Sequence, residues 1–393
     1  MNERLYFLIS ILCALQGTLL SLIFFRKGRN HPASQMLGVY LFIFSVGMLE
    51  NFLTENVTGS TGKLLFSFLG FSNFLYGPLL YLFVYFLTVQ QPVFKARQTL
   101  HFIPFATFFL ADTILVLVSG QSLRKDFPVF ELVLFEVLVI QLLTYNVLAF
   151  RKLYHHRLAI LQIHSSLEAK DLRWLMFLVT LLTGIYFLSF GITHLVIFGM
   201  EGAGEYYILV QALITVSVYL MSYRVLFQPA LFILPRSASA LEALPESIAG
   251  LPAAKGTEKY QRSGLKSSQA ETYASLLQKY METEKPYLDP ELTIHALAEK
   301  LSISRNHLTE VINETLGQNF YEFVNAYRVE EVKRLLADAR FAHLNLAALG
   351  NEAGFKSKTA FNSNFKKFTG VTPSKWKASS NHSSEIRLKE VLS

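Results

Sequence analysis

Seven apolar stretches fill the first 230 or so positions of this chain: residues 5–25, 36–53, 64–89, 100–119, 127–150, 172–199 and 206–227. Each is close to the ~20 residues a helix needs to cross a hydrocarbon core. Inside lipid, a backbone can satisfy its polar groups only as helix or closed barrel, so these stretches predict membrane helices. Composition agrees. Hydrophobic residues make up 52% of the chain, Phe alone occurs 34 times, and the mean hydropathy is +0.34. The second stretch is the weakest, because Glu50 lies near its end. The first has only Arg4 as an upstream base and no A-x-A cleavage pattern, which predicts a retained helix rather than a signal peptide. The single cysteine, Cys13, excludes an internal disulfide and any cysteine-built zinc site.

Lys and Arg in short loops set orientation. Arg26, Lys27 and Arg29 follow the first stretch, Lys95 and Arg97 the third, and Arg151, Lys152, Arg157, Lys170 and Arg173 lie around the loop after the fifth. The alternate loops are poorer, with Lys63 after the second stretch, Arg124 and Lys125 after the fourth, and none after the sixth. The expected topology is multi-pass in a bacterial inner membrane, N-terminus outside and C-terminus in the cytoplasm. Residues 234–270 then turn rich in Ser, Ala, Pro and Gly and read as a flexible linker with a reach of about 35 Å.

The region beyond the linker has helical periodicity and cap residues at short intervals. Residues 271–281 read as an amphipathic helix and 286–290 as a break. A helix-turn-helix follows at about 291–317, with Leu301-Ser302-Ile303 as its turn and Ser304 capping the second helix. Ser302 stands where glycine often sits. A connecting helix is predicted over 320–336. In a second helix-turn-helix, 345–369, Asn345 caps one helix, Gly354 supplies the turn, and Ser357 caps the next. Phe361, Phe365 and Phe368 form the apolar face of that last helix, opposite Lys358, Thr359, Asn362, Ser363 and Lys366. From 356 to 377 there are six lysines and no acid. A helix entering a major groove needs short polar groups near its N-terminus for base edges and cations for phosphate. The candidate DNA-contacting residues are therefore Ser304, Arg305, Asn306, His307 and Thr309 in the first half, and Lys356, Ser357, Lys358, Thr359, Asn362, Ser363, Lys366 and Lys367 in the second. Residues 289–338 hold nine acids against five bases, so the second half is expected to dominate phosphate contact.

The run Ala353-Gly354-Phe355, Phe361, Phe365-Lys366-Lys367, Gly370, Thr372-Pro373 and Trp376 resembles the signature of AraC/XylS-type transcriptional regulators, G-F-x-S-x-S/T-x-F-x-x-x-F-K-K-x-x-G-x-T-P-x-x-Y/W. Asn306–Glu314 and Tyr327-Arg328 extend the resemblance, which covers about 287–377, a quarter of the chain. One departure is Ser363, where many members carry Arg. The resemblance implies two helix-turn-helices in adjacent major-groove segments of promoter DNA, with a homodimer on DNA and RNA polymerase as further partners.

Carboxylates inside a bilayer are costly and usually face a cavity or partner. On the expected orientation, Asp112, Glu136 and His194 fall in the outer parts of their stretches, deeper than Glu50 and Glu131, and are candidate sensing residues for a cationic ligand, a metal or protons. Glu50 and Glu131 sit at headgroup level. Gly77-Pro78 is expected to kink the third stretch. No H-E-x-x-H, G-x-S-x-G or P-loop occurs, and nothing points to a catalytic residue, resident metal or cofactor.

The expected fold is all-α: a seven-helix transmembrane bundle (1–233), the linker, a cytoplasmic tandem helix-turn-helix domain (271–378) and a tail (379–393). The expected function is one-component transcriptional regulation from the membrane. Two alternatives stand beside it: a bundle that only anchors a binding module, and a membrane transporter or enzyme with a regulatory tail.

Overall fold

The computed structural model describes residues 3–27, 31–49, 59–89, 92–168, 170–200, 202, 206–228, 265 and 267–379. Glu50, the linker up to 264 and the tail from 380 lie outside the described residues. The chain is all-α. Among the described residues the only β-type pairing is one isolated antiparallel bridge, His164 with Thr293. Two compact units form, one from Met1–His156 and Leu172–Leu244, the other from Arg157–Asp171 and Pro245–Ser393.

Each apolar stretch holds a helix within its described residues: α1 Glu3–Lys27, α2 Pro32–Gly47, α3 Gly59–Thr88, α4 Ile103–Ser119, α5 Pro128–Ile163 (its end, from Arg157, grouping with the second unit), α6 Arg173–Ile197 and α7 Tyr206–Leu226. Neighbours in sequence pack together (α1 on α2, α2 on α3, α3 on α4, α6 on α7), and α1 also meets α7. Local chemistry sets the ends. Pro32 occupies the first turn of α2, where its missing N–H costs nothing, and the His31 side chain accepts from Ala33 N. The core between the helices is aromatic and aliphatic, with Leu37, Tyr40, Leu41, Leu82, Phe83 and Phe86 almost fully buried.

The outer surface of this unit is apolar. Val118 is 82% exposed, Phe198 83% and Val129 77%, among many other large hydrophobic side chains turned outward. Soluble monomers rarely expose large contiguous apolar patches. Among the described residues, five helical stretches are long and apolar enough to cross a membrane: Thr61–Thr88, Ala96–Ser119, Val129–Ile163, Arg173–Ile197 and Ile208–Leu226. The apolar stretches Ser10–Arg26 and Pro32–Gly47 are shorter. At 1.5 Å per residue, α2 reaches only about 24 Å, short of a ~30 Å core, whereas α5 reaches about 54 Å. Hydropathy ends the fifth stretch at Phe150, where Arg151 and Lys152 interrupt the apolar run; the helix continues through them, Arg151 exposed and Lys152 half-buried, because charged side chains do not break helical hydrogen bonding.

The second unit holds α8 Ser267–Thr283, α9 Ile294–Leu301, α10 Arg305–Glu310, α11 Phe320–Ala337, α12 Leu346–Glu352 and α13 Lys358–Thr369, with a closing helix at 373–379. Two larger apolar cores stand beside a small one of Leu265, Ala270, Ala274 and Val311. Leu277, Met281, Leu297, Leu308, Ile312 and Phe320 fill the first, and Val329, Val332, Leu349, Phe355, Phe361 and Phe365 the second. Helix α11 contributes to both.

Candidate nucleic-acid interface

The two helix-turn-helices are α9–α10 and α12–α13. In the first, the Thr293 side chain caps α9 by accepting from Ala296 N, and Ser302 adopts a left-handed backbone with φ 53° at the turn. The position expected to favour glycine does require positive φ, and serine pays a strain for it. Ser304 caps α10, accepting from His307 N at 3.2 Å. Helix α10 does not run straight to Leu316 as periodicity predicts. It widens into a π-helical turn over Val311–Thr315, with Val311 and Ile312 fully buried beneath it.

The expected contact residues of this half differ in exposure. Ser304 and Asn306 are exposed, whereas Arg305, His307 and Thr309 are half-buried. Arg305 donates to Asn306 Oδ1 at 3.0 Å, and Thr309 Oγ1 donates to Arg305 O at 2.8 Å. His307 lies nearly parallel to the Tyr273 ring of α8, 6.4 Å between centroids, which engages part of its ring away from a groove.

In the second helix-turn-helix, Asn345 caps α12 by accepting from Ala348 N at 2.9 Å, and Ser357 caps α13 by accepting from Ala360 N at 3.2 Å. Between them Gly354 has φ 89°, and a Cβ there would lie 2.3 Å from Tyr287 O and 2.9 Å from the Leu288 Cα. Only glycine fits both the torsion and the contact. Phe361 and Phe365 turn inward, and Phe365 meets Trp376 edge-on at 5.9 Å. Lys358, Thr359, Asn362, Ser363 and Lys366 are all exposed on the other side. Ser357 is half-buried at the cap.

Two exposed lysines of this half are held by carboxylates of the first: Lys356 by Glu291 and Lys367 by Glu322. The bond from Lys356 holds the Glu291 carboxyl below its ordinary range, and the same bond raises the Lys356 ammonium. Glu331 on α11 is gripped by Arg334, with Nη2 to Oε1 2.6 Å, and by Lys285 and the Tyr287 hydroxyl. Its carboxyl is lowered by the Arg334 bond first.

A family model described as a helix-turn-helix domain matches residues 297–379. Curated relatives align over the same region. The Msm operon regulatory protein of Streptococcus mutans is 27% identical over 120 residues, 30% of this chain and 42% of that protein. The melibiose operon regulatory protein of Escherichia coli is 28% identical over 89 residues, 23% of this chain and 28% of that protein. An uncharacterized HTH-type transcriptional regulator of Staphylococcus aureus is 30% identical over 87 residues, 22% of this chain and 11% of that protein. The C-terminal part is an AraC-type helix-turn-helix domain. The chain spans less than half the length of these relatives. No solved structure matches the chain.

Several residues that hold the AraC-type domain together escaped the sequence reading as functional positions. Arg328, 1% exposed, donates from Nε to Tyr287 O at 2.8 Å and from Nη2 to Asp289 O at 2.7 Å. Burial pushes its guanidinium down to about 10. Asn364, also buried, donates to the Tyr321 hydroxyl at 2.7 Å. A signal existed for Arg328. Val324 and Val332 stand four residues to either side, which puts a cation on the buried stripe of α11.

In the first unit, the structure divides the expected sensing residues. Asp112 is fully buried and accepts from Ser67 Oγ, Ser122 Oγ and Leu123 N. Glu136 meets His194, Oε1 to Nε2 3.2 Å, with both side chains about one-third exposed. Glu131 approaches Arg124 at 3.5 Å. The carboxylates of Asp112 and Glu136 thus have different partners.

Proposed function

We propose that this chain is a membrane-embedded one-component transcriptional regulator, whose AraC-type domain binds promoter DNA from the cytoplasmic side. One observation carries the reading. The exposed face of α13 presents Lys358, Thr359, Asn362, Ser363 and Lys366 in a chain whose other unit turns large apolar side chains outward. Short polar groups early in α13 suit base edges, and Lys366 late in it suits phosphate. Helix α10 contributes Ser304, Arg305 and Asn306. The likeness to two operon regulators supports transcription as the output, with a homodimer on DNA and RNA polymerase as partners.

The candidate signal input is the Glu136–His194 pair rather than a three-residue cluster, because Asp112 already has its oxygens occupied by a hydroxyl and amide cage. That cage is the observation that favours the second reading, in which the bundle is only an anchor.

The test is binding of labelled duplex by the full chain in lipid discs across a salt series. Counterion release gives a log–log slope of about −0.9 per neutralised phosphate. Lys356 and Lys367 already serve carboxylates, so the slope should reflect about four lysines of the second half rather than all six. Salt-independent binding would remove the DNA reading.

A further inference from the structure

Residues 157–171 comprise the last turns of α5 and the start of the connection to α6, yet they group with the AraC-type domain. The contacts are specific. Ser165 N donates to Leu292 O at 3.1 Å, beside the His164–Thr293 bridge. Ser165 O accepts from Arg328 Nη1 and from Asn325 Nδ2, both at 3.0 Å, and Ser165 Oγ accepts from Arg328 Nη2 at 3.0 Å. Lys170 reaches Glu291 at 3.8 Å, the carboxylate that also grips Lys356.

We propose that residues 157–171 are an intramolecular clasp that seats between the two helix-turn-helices and excludes DNA until it is released. The inference rests on the DNA-binding reading above. The segment touches the entry to α9 at Leu292, the connecting helix at Asn325 and Arg328, and, through Glu291, the approach to α13. A duplex taking α10 and α13 into neighbouring major-groove segments must carry its phosphate backbone across the span between them, past the N-terminus of α9 and past Lys356. The seated segment meets the chain there at Leu292 and Thr293 and, through Glu291, beside Lys356. Its covalent continuity with α5 and α6 makes any shift of those helices a force on the clasp.

The contact is built to open. Its main donor is a buried guanidinium, and a buried charge recovers hydration when its cover leaves, which offsets the lost hydrogen bonds. Lys170 behaves alike: burial lowers its ammonium although Glu291 opposes the shift. A wholly apolar seat would lack this compensation.

The bridge geometry supplies the test. A bond from Ser165 N to Leu292 O flanking the 164/293 pair marks a non-hydrogen-bonded antiparallel pair, with Cα atoms about 4.5 Å apart, inside disulfide range. His164→Cys with Thr293→Cys, in a Cys13→Ala background and with a protease site inserted near residue 250, is prepared as the full chain in lipid discs. After oxidation and cleavage the two pieces should remain joined until a reductant is added. The oxidised protein should bind a labelled random-sequence duplex at low salt at least ~10-fold more weakly than the same protein reduced, since a locked clasp leaves no open population. Ser165→Pro, which removes the N–H, should bind more tightly than the parent. Failure to cross-link, or equal or tighter binding when oxidised, overturns the clasp while the reduced protein still reports DNA binding. If neither the reduced protein nor Ser165→Pro binds duplex, the DNA reading fails and the clasp falls with it.

Discussion

Gly354→Ala is expected to be the most damaging single-methyl change in the AraC-type domain. Two costs add. The φ of 89° forces an L-residue into the left-handed region, worth ~1–2 kcal/mol. The new Cβ would also lie 2.3 Å from Tyr287 O and 2.9 Å from the Leu288 Cα, both backbone atoms that no rotamer change can move aside. Overpacking of that kind costs ~1–3 kcal/mol. The sum, about 2–5 kcal/mol, is a large part of a domain stability of ~5–15 kcal/mol. Gly370 is the internal control. Its φ is 79°, but nothing lies within 4 Å of its would-be Cβ, so Gly370→Ala should cost only the torsional part, ~1–2 kcal/mol. Thermal unfolding of a fragment from residue 265 onward, followed by circular dichroism, reads the difference. At roughly 4 °C per kcal/mol for a domain of this size, Gly354→Ala should melt about 4–12 °C below Gly370→Ala. Equal melting temperatures would show that the turn before α13 does not press on the 286–288 turn.

In duplex-binding assays, Lys366→Ala should weaken all sequences alike and reduce the salt slope by roughly one unit, whereas Asn362→Ala should relax preference at one base position by ~1–3 kcal/mol. Uniform weakening by Asn362→Ala would mean that α13 presents another face. Glu331 has a folded carboxyl held below its unfolded value, so its contribution is present above about pH 4.3 and is lost as pH falls through the lower folded value. Glu331→Gln should therefore flatten the acid limb of the fragment's stability curve; an unchanged limb refutes the grip by Arg334. Glu136→Gln should alter reporter output in intact cells with expression and fragment binding unchanged, while Asp112→Asn should lower expression or folding. Wild-type output from both variants would leave the bundle as an anchor. Reporters active only in the cytoplasm should work when fused after Phe227 and fail within 200–205; the reverse pattern would contradict the topology.

The all-α fold was legible because each element announces itself locally. Apolar runs mark α1 to α7, and Asn345, Ser357 and Ser304 cap the helices their spacing predicts. The exposed face of α13 followed from the Phe361/Phe365/Phe368 spacing alone. What stayed hidden depends on contacts distant in sequence. Nothing near Asp112 predicts that Ser67 and Leu123 would claim its carboxylate, and nothing near Ser165 predicts a partner at Arg328. The continuation of α5 to Ile163 was concealed because hydropathy and helicity part company at Arg151. The π turn after Glu310 coincides with the burial of Val311 and Ile312, and periodicity does not encode it.

The central claim is that the intact chain, seated in its membrane, holds specific promoter DNA. Cross-linking DNA to the full-length protein in native membranes, followed by sequencing of what is recovered, tests it most directly. The account predicts discrete sites upstream of genes, each with two short conserved elements whose centres lie about one helical turn, ~10 bp, apart. Recovery of no DNA above an untagged control, or of fragments without a shared paired element, would contradict it.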